Sequence, residues 1–337
     1  MLTAGVIGCG YWGPNLIRNL DAIKDVKLKY IADLDPVNLA KMRDKYPYVL
    51  TVDDYTQLLK DEEVDMILIA TPVTTHFRFA KEALEHGKHV FVEKPLTDSV
   101  ESSKVLCSLA DQKGLTLMTG HTFVYTGAVR KMKEIIDSGE IGDVLQVSSQ
   151  RLNLGLFQRD TNVIWDLAPH DISIINYLMG DVELDKLDVE ANCNIHPHYE
   201  DSAYLHLTYK NNVKANIHLS WLHPEKVRKF SVIGRNGMLV YDEVEPIEKV
   251  KLYRKSVVMQ VNDRAHAQYE YYQDSGKAID LDQKEALYVE LKHFVECINT
   301  GMLSNSNGYE GLKIVKVLRL TDKLLKFKKE KKTTTLV

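Results

Sequence analysis

An apolar run, Leu2–Ile7, ends directly in Gly8-Cys9-Gly10-Tyr11-Trp12-Gly13, and a helical pattern opens at Pro14. Strand, glycine turn and helix in immediate succession commit the start of the chain to a βαβ unit. The rhythm continues. Short apolar runs at Leu2–Ile7, Val26–Ala32, Val64–Ala70, Val90–Val92 and Leu115–Thr119 alternate with helical patterns at Pro14–Ala22, Pro36–Tyr46, Tyr55–Lys60, Thr75–His86 and Val100–Lys113. Runs apolar on both faces suit strands covered by helices on each side, as in a parallel sheet. Residues 1–120 are therefore expected to form a doubly wound, Rossmann-type α/β domain.

Past residue 120 the pattern changes. A helix is expected at Ala128–Ser138. Strands are expected at Val144–Leu152, Leu187–Ile195, Ser202–Tyr209, Val213–Trp221, Lys229–Gly234, Met238–Val244 and Lys249–Tyr253, with hairpin signals at Lys210-Asn211-Asn212 and Arg235-Asn236-Gly237. Helices at Lys284–Asn299 and Gly311–Lys328 close the chain. Residues 121–337 thus read as an α+β domain with an open, mostly antiparallel sheet. The six lysines between Lys323 and Lys332 read as a solvated terminus.

Composition narrows the function classes. With 43 Lys+Arg against 47 Asp+Glu the net charge is −4, which is not the footprint of a nucleic-acid binder. Apolar stretches such as Met66–Ala70 are far too short to cross a bilayer. The N-terminus lacks a basic n-region and reads as a strand, so no membrane partner and a cytoplasmic location are expected. Cys9, Cys107, Cys193 and Cys297 are widely spaced, as suits reduced, free thiols.

The glycine sequence points to a dinucleotide. Gly8 permits the tight turn, Gly10 lets backbone approach a pyrophosphate, and Gly13 allows close helix–strand packing. The helix N-terminus supplies N–H groups and partial positive charge. Asp33, 20 residues after Gly13 at the end of the second apolar run, suits the hydroxyls of an adenosine ribose and would repel a 2′-phosphate. NAD is the expected cofactor, with NADP as the alternative. Tyr11 and Trp12 in the loop, Thr71 and Pro72 after the Met66–Ala70 run, and Glu93 and Lys94 after Val90–Val92 complete the expected cofactor contacts. Asp35 is read as a helix N-cap and His76 as a residue of a helix start.

Two constellations could carry chemistry. In Glu93-Lys94-Pro95 the lysine stands at the carboxyl edge of the sheet, where an ammonium can orient a hydroxyl and favour a developing alkoxide; the alternative is a surface charge. In Asp166-Leu167-Ala168-Pro169-His170, Asp166 and His170 share a helical face, and a carboxylate beside an imidazole can orient it for proton transfer. A buried structural pair or a metal pair are the alternatives. No ligand spacing supports a metal, and His196-Pro197-His198 with Glu200 sits in an expected loop. Pro169 places this segment at a helix start or in irregular structure.

Gly8–Gly13, Asp33, Glu93-Lys94-Pro95 and Asp166-x-x-x-His170, in this order, resemble the glucose–fructose oxidoreductase, inositol dehydrogenase and MocA family over essentially the whole chain. The resemblance implies a Rossmann domain, a second domain whose open sheet joins subunits into a homodimer or homotetramer, and a catalytic set of Lys94, Asp166 and His170. Gly10–Leu16, Gly120–Phe123 and the segments Arg151–Gly155 and Leu167–Ile172 resemble the nucleotide-sugar branch, with its UDP-N-acetylglucosamine and glucosaminuronate 3-dehydrogenases. That branch oxidises a sugar hydroxyl to a ketone. A diphosphate needs cations, for which Arg151 and Arg159 are candidates, while Asn153 and Asn162 could meet hydroxyls or uracil and Lys94 and His170 the reacting oxygen. Alternatives are an inositol or free-sugar dehydrogenase, an NADPH-using ketoreductase and a dinucleotide-binding regulator without turnover.

Overall fold

The computed structural model describes residues 1–155, 157, 161–262 and 266–335. The chain divides into two compact units, Met1–Thr126 with Lys284–Arg319, and Gly127–Gln283 with Leu320–Val337.

In the first unit β1 (Leu2–Ile7), α1 (Gly13–Asp21), β2 (Val26–Ala32), α2 (Pro36–Lys45), β3 (Leu50–Val52), α3 (Thr56–Lys60), β4 (Met66–Ile69), α4 (Val73–Glu85), β5 (His89–Glu93), α5 (Val100–Lys113) and β6 (Leu117–Gly120) follow in chain order. Six parallel strands lie in the order β3-β2-β1-β4-β5-β6. The order reverses between β1 and β4, which makes the carboxyl ends of those strands the crevice of a doubly wound sheet. Met66, Ile67, Leu68 and Ile69 are all fully buried, as a strand covered on both faces requires. Local signals set the helix ends. Asp35 caps α2 by accepting from the Val37 amide at 2.8 Å, Ser99 caps α5, and Gly114 closes α5 at φ +65°.

In the second unit α6 (Gly127–Asp137), β7 (Val144–Leu154), α7 (Val163–Met179), β8 (Leu184–Asn192), β9 (Ser202–Tyr209), β10 (Lys214–Ser220), β11 (Leu222–Gly234), β12 (Met238–Asp242), β13 (Val250–Tyr253), β14 (Lys255–Asn262), β15 (His266–Gln273) and β16 (Lys277–Ala278) follow. The larger sheet has the order β16-β13-β12-β11-β7-β10-β9-β8 and is antiparallel except for β7 against β10. β14 and β15 form a separate ribbon. α7 lies against β7, β9 and β10, and the strands bury alternate residues such as Ala203, Leu205 and Leu207.

α8 (Ala286–Thr300) and α9 (Gly308–Thr335) end the chain. The expected single cut near residue 120 differs from the observed division, because α8 and residues 308–319 of α9 pack with the first unit. Phe294 of α8 meets Phe91 of β5 with ring centroids 5.8 Å apart, and Glu285 pairs with Arg18 and Asn19 of α1. Apolar burial thus draws α8 onto the cofactor sheet. Among the described residues no helix is long and apolar enough to cross a membrane.

Candidate active site

The glycine loop has the geometry that its residue types imply. Gly8 sits at φ +94°, and a Cβ there would lie 2.5 Å from the Ala70 carbonyl oxygen. A Cβ on Gly13 would collide with the Gly8 carbonyl oxygen, whereas one on Gly10 would meet nothing within 4 Å. Two glycines let backbone pack on backbone, and the third leaves a clear approach for a ligand. The Asp33 carboxylate ties the loop down, accepting from the Cys9 amide at 2.6 Å and from the Asp35 amide at 2.8 Å. Burial, with Asp33 beside it, pushes the Cys9 thiol up to about 12, so it stays protonated.

A cavity of about 700 Å³ opens here, lined by Gly8, Gly10, Trp12, Asp33, Thr71 and Pro72. Tyr55, Arg78 and Phe79 line its far wall. Arg78 lies over both rings, 5.6 Å from the Tyr55 centroid and 5.8 Å from that of Phe79. These three were not singled out from the sequence, since their spacing on α3's approach and α4 resembles ordinary helix packing. Glycine approach, ribose carboxylate and cavity size together fit a dinucleotide. Replacing Gly13 with Ala should weaken NAD binding about 10- to 100-fold by displacing the start of α1; calorimetric titration with NAD measures it.

Thr71 bonds Thr75 at 2.7 Å, and Pro72 precedes α4, its carbonyl accepting from the Thr75 hydroxyl at 2.7 Å. His76 is buried, with its ring nitrogens on the Pro95 and Thr71 carbonyl oxygens at 2.9 and 2.8 Å; burial lowers its pKa. It braces the ends of β4 and β5. Tyr11 and Trp12 stand exposed at the loop, and the Trp12 indole N–H donates to Glu93 at 2.7 Å. Lys94 follows at the end of β5, half-buried, and the Lys94–Pro95 peptide is cis.

Asp166 and His170 are held in the second unit, on α7. This helix differs from the expectation of a start or irregular segment at Pro169. It runs from Val163 to Met179, with Pro169 inside and Asn162 as its cap. Pro169 has no N–H for the Trp165 carbonyl, but Ile164, Leu167, Ala168, Ile172 and Ile175 are buried on the sheet and hold the helix through that position. Asp166 and His170 are both half-buried, and Asp166 accepts from the Trp221 indole at 3.3 Å.

The expected phosphate and sugar ligands fare differently. Arg151 is buried and bidentate to Asp171, at 2.9 and 3.1 Å, with Glu243 at 3.7 Å; these contacts engage its charge inside the unit and tie β7 to α7. Asn162 is likewise occupied in structure. Its Oδ1 accepts from the Ile164 and Trp165 amides at 3.1 and 3.0 Å, and its amide donates to Glu200 at 2.8 Å. Arg159 lies outside the described residues. Asn153 is half-buried and accepts from Arg228 at 2.5 Å. Arg228, paired in register with Arg151 across β11 and β7, carries the cation that the sequence left unnoticed within a strand. Burial and the Arg151 charge lower its pKa, against the opposing pull of Glu243, Asp171 and Asp166. Among the described residues no group of three or more His, Cys, Asp and Glu side chains could hold a metal ion.

Comparison with known proteins agrees with this geometry. Residues 2–121 match the model of the oxidoreductase family with an NAD-binding Rossmann fold, and residues 129–240 match the Gfo/Idh/MocA C-terminal domain. The chain is similar to the uncharacterized oxidoreductase YrbE of Bacillus subtilis (strain 168), at 26% identity over 97% of this chain and 95% of that one. It is also similar to the NAD(+)-dependent scyllo-inositol 2-dehydrogenase of the same organism, at 25% identity over 88% and 86%. The solved UDP-N-acetylglucosamine 3-dehydrogenase GnnA of Acidithiobacillus ferrooxidans superposes with a TM-score of 0.79 at 22% identity, covering 94% of this chain and 95% of that one; at that identity the likeness is one of fold. With both family domains matched in order and a dinucleotide cavity in the first, the chain belongs to the Gfo/Idh/MocA family of NAD-binding oxidoreductases.

Proposed function

We propose that this oxidoreductase oxidises a ring hydroxyl, at position 3 of the sugar, of a nucleotide sugar such as UDP-N-acetylglucosamine or its uronate. NAD supplies the hydride acceptor. Lys94, fixed beside the cofactor loop by the Glu93–Trp12 bond, donates a hydrogen bond to the reacting oxygen and favours its negative charge. His170 takes the hydroxyl proton, and Asp166 orients it from one turn earlier on the same face. The lysine and histidine together manage the charge, so the reaction needs no metal.

The observation that carries the nucleotide-sugar reading is Arg228. Its guanidinium is held at the Leu152 carbonyl and on Asn153, next to Asp166, and it shares its surroundings with the Asp171-paired Arg151. A diphosphate would satisfy it, and the fold likeness to a UDP-N-acetylglucosamine 3-dehydrogenase supports the same substrate class. The inositol dehydrogenase relative favours a second reading, oxidation of a free polyol by the same catalytic set. A panel of UDP-sugars, free sugars and inositols with NAD, followed by NADH absorbance, separates them: reduction only with inositols would overturn the first. Arg228→Met should lower kcat/KM for a UDP-sugar about 10- to 100-fold, the loss of a charged hydrogen bond, and barely touch that for an inositol.

The open face of the large sheet, which presents Tyr204 stacked on His218 at 4.1 Å, is proposed as the surface that joins subunits into a dimer or tetramer. Light scattering on the eluted protein gives the count.

A further inference from the structure

Beneath Lys94 the first unit holds a group of ionisable side chains that the proposed chemistry does not use. Glu93 ends β5 two residues after Phe91, on the same side of the strand. Glu290 stands one turn before Phe294 on α8. Since Phe91 and Phe294 are in contact, the two glutamates face the same layer between sheet and helix. Gly120, paired with Glu93 across β5 and β6, makes room: a Cβ there would lie 3.1 Å from the Glu93 carboxyl.

The two acids differ in surroundings. Glu290 is fully buried; one oxygen accepts from Thr122 at 2.6 Å and the other has no hydrogen-bond partner. Burial and the nearby Glu93 hold its pKa well above the usual carboxylate range, so it stays protonated. Glu93 is half-buried at the crevice, joined to Trp12 and to the Lys94 amide, and burial pushes it up to about 7 against the opposing pull of Lys94. His121, which follows β6, is buried with neither ring nitrogen hydrogen-bonded; burial and Lys94 hold it down to about 3. The charged or ionisable groups beside Glu93 are thus Lys94, which follows it in the chain, and Glu290 from α8, while a neutral His121, just past β6, lies beside Lys94. Trp12 from the glycine loop is uncharged.

The crevice gives Glu93 a second neighbour. A dinucleotide with its adenosine at Asp33, just past β2, and its pyrophosphate on the glycine loop places its nicotinamide half beyond the switch point, over β4 and β5. The nicotinamide ring is a cation in NAD⁺ and neutral in NADH. We infer that Glu93, packed into the same layer as Glu290, is a redox-linked proton site, which releases its proton when NAD⁺ binds and keeps it when NADH binds. The proton goes to solvent, no bond other than O–H is broken, and Glu290 keeps its own proton because two neighbouring anions would repel.

The sign follows from linkage. A cation beside Glu93 favours its carboxylate, so NAD⁺ affinity is full above about pH 7 and falls below it, whereas a neutral ring only desolvates the acid and leaves it protonated. Between pH 7.5 and 6 the NAD⁺ dissociation constant should rise about 5- to 10-fold, while that of NADH should not rise and should fall by up to about fourfold. The full chain is titrated with NAD⁺ and with NADH, without sugar, by tryptophan fluorescence across this range. Calorimetry in two buffers of different ionisation enthalpy counts the protons released. Glu93→Gln should bind NAD⁺ with no proton release and a flat pH profile, and Glu290→Gln should retain both release and profile. Equal pH profiles for the two cofactors in the unaltered chain, which need no variant to fold, would overturn the inference, as would proton release that survives in Glu93→Gln.

Discussion

Replacing His170 with Ala should lower turnover about 10²- to 10⁴-fold while NAD affinity stays within about twofold. Positioned proton transfer is worth that factor, about 3 to 5 kcal/mol of barrier at roughly 1.4 kcal/mol per tenfold. The separation of the two readouts follows from the architecture. His170 belongs to α7 in the second unit, whereas the glycine loop, Asp33 and the dinucleotide cavity belong to the first. Leu167, Ala168 and Ile172, buried around it, keep α7 in place without the imidazole, so lost turnover would report chemistry and not unfolding. Asp166→Asn should cost less, because an amide can still accept from Trp221 and retain the shape of the site. Turnover of His170→Ala within about threefold of the unaltered chain would remove His170 from proton transfer.

Much of the fold is legible because burial writes a strong pattern. β1, β4, β5 and β6 are largely buried runs, β2 alternates buried Val26 and Leu28 with Lys27 and Lys29, and all five appear in the sequence to within two residues. β3 does not. Leu50-Thr51-Val52 is a three-residue edge strand, with Leu50 exposed, and no periodicity can be read from so few positions. The β14–β15 ribbon escaped for the same reason, as Val257, Tyr269 and Tyr271 are exposed and no core imposes an alternation. α7 shows the opposite case. Proline chemistry argued against a continuous helix, and tertiary burial outweighed it.

At the candidate site the cofactor loop was legible because glycine is required for steric reasons that one residue at a time expresses. Glu290 was not. A glutamate four residues before a phenylalanine reads as a solvated helix face, and only the packing of Phe294 on Phe91 turns it towards Glu93. The partners of Arg151 and Asn162 were hidden for a related reason: a sequence shows that a cation or amide is present, but not that Asp171 or a helix N-terminus already engages it.

Asp171→Ala should destabilise the second unit by about 3 to 5 kcal/mol, the cost of leaving a buried charge without its partner. Asp171 is 2% exposed and Arg151 5%, so neither water nor rotation can substitute for the bidentate contact. Ser149 also loses its acceptor, at 2.7 Å. Glu243, 3.7 Å from the guanidinium, offers partial compensation and places the effect nearer the lower bound. The pair joins β7 to α7 at the residue next to His170, so turnover should fall together with stability. Arg151→Met combined with Asp171→Leu should recover part of the stability, since removing both charges also removes the desolvation penalty. Urea unfolding followed by tryptophan fluorescence reads both variants, with an unchanged slope marking a change in stability alone. A loss below about 1 kcal/mol in Asp171→Ala would mean that Arg151 reaches water once unpaired, and the guanidinium would then again be available to an anionic substrate.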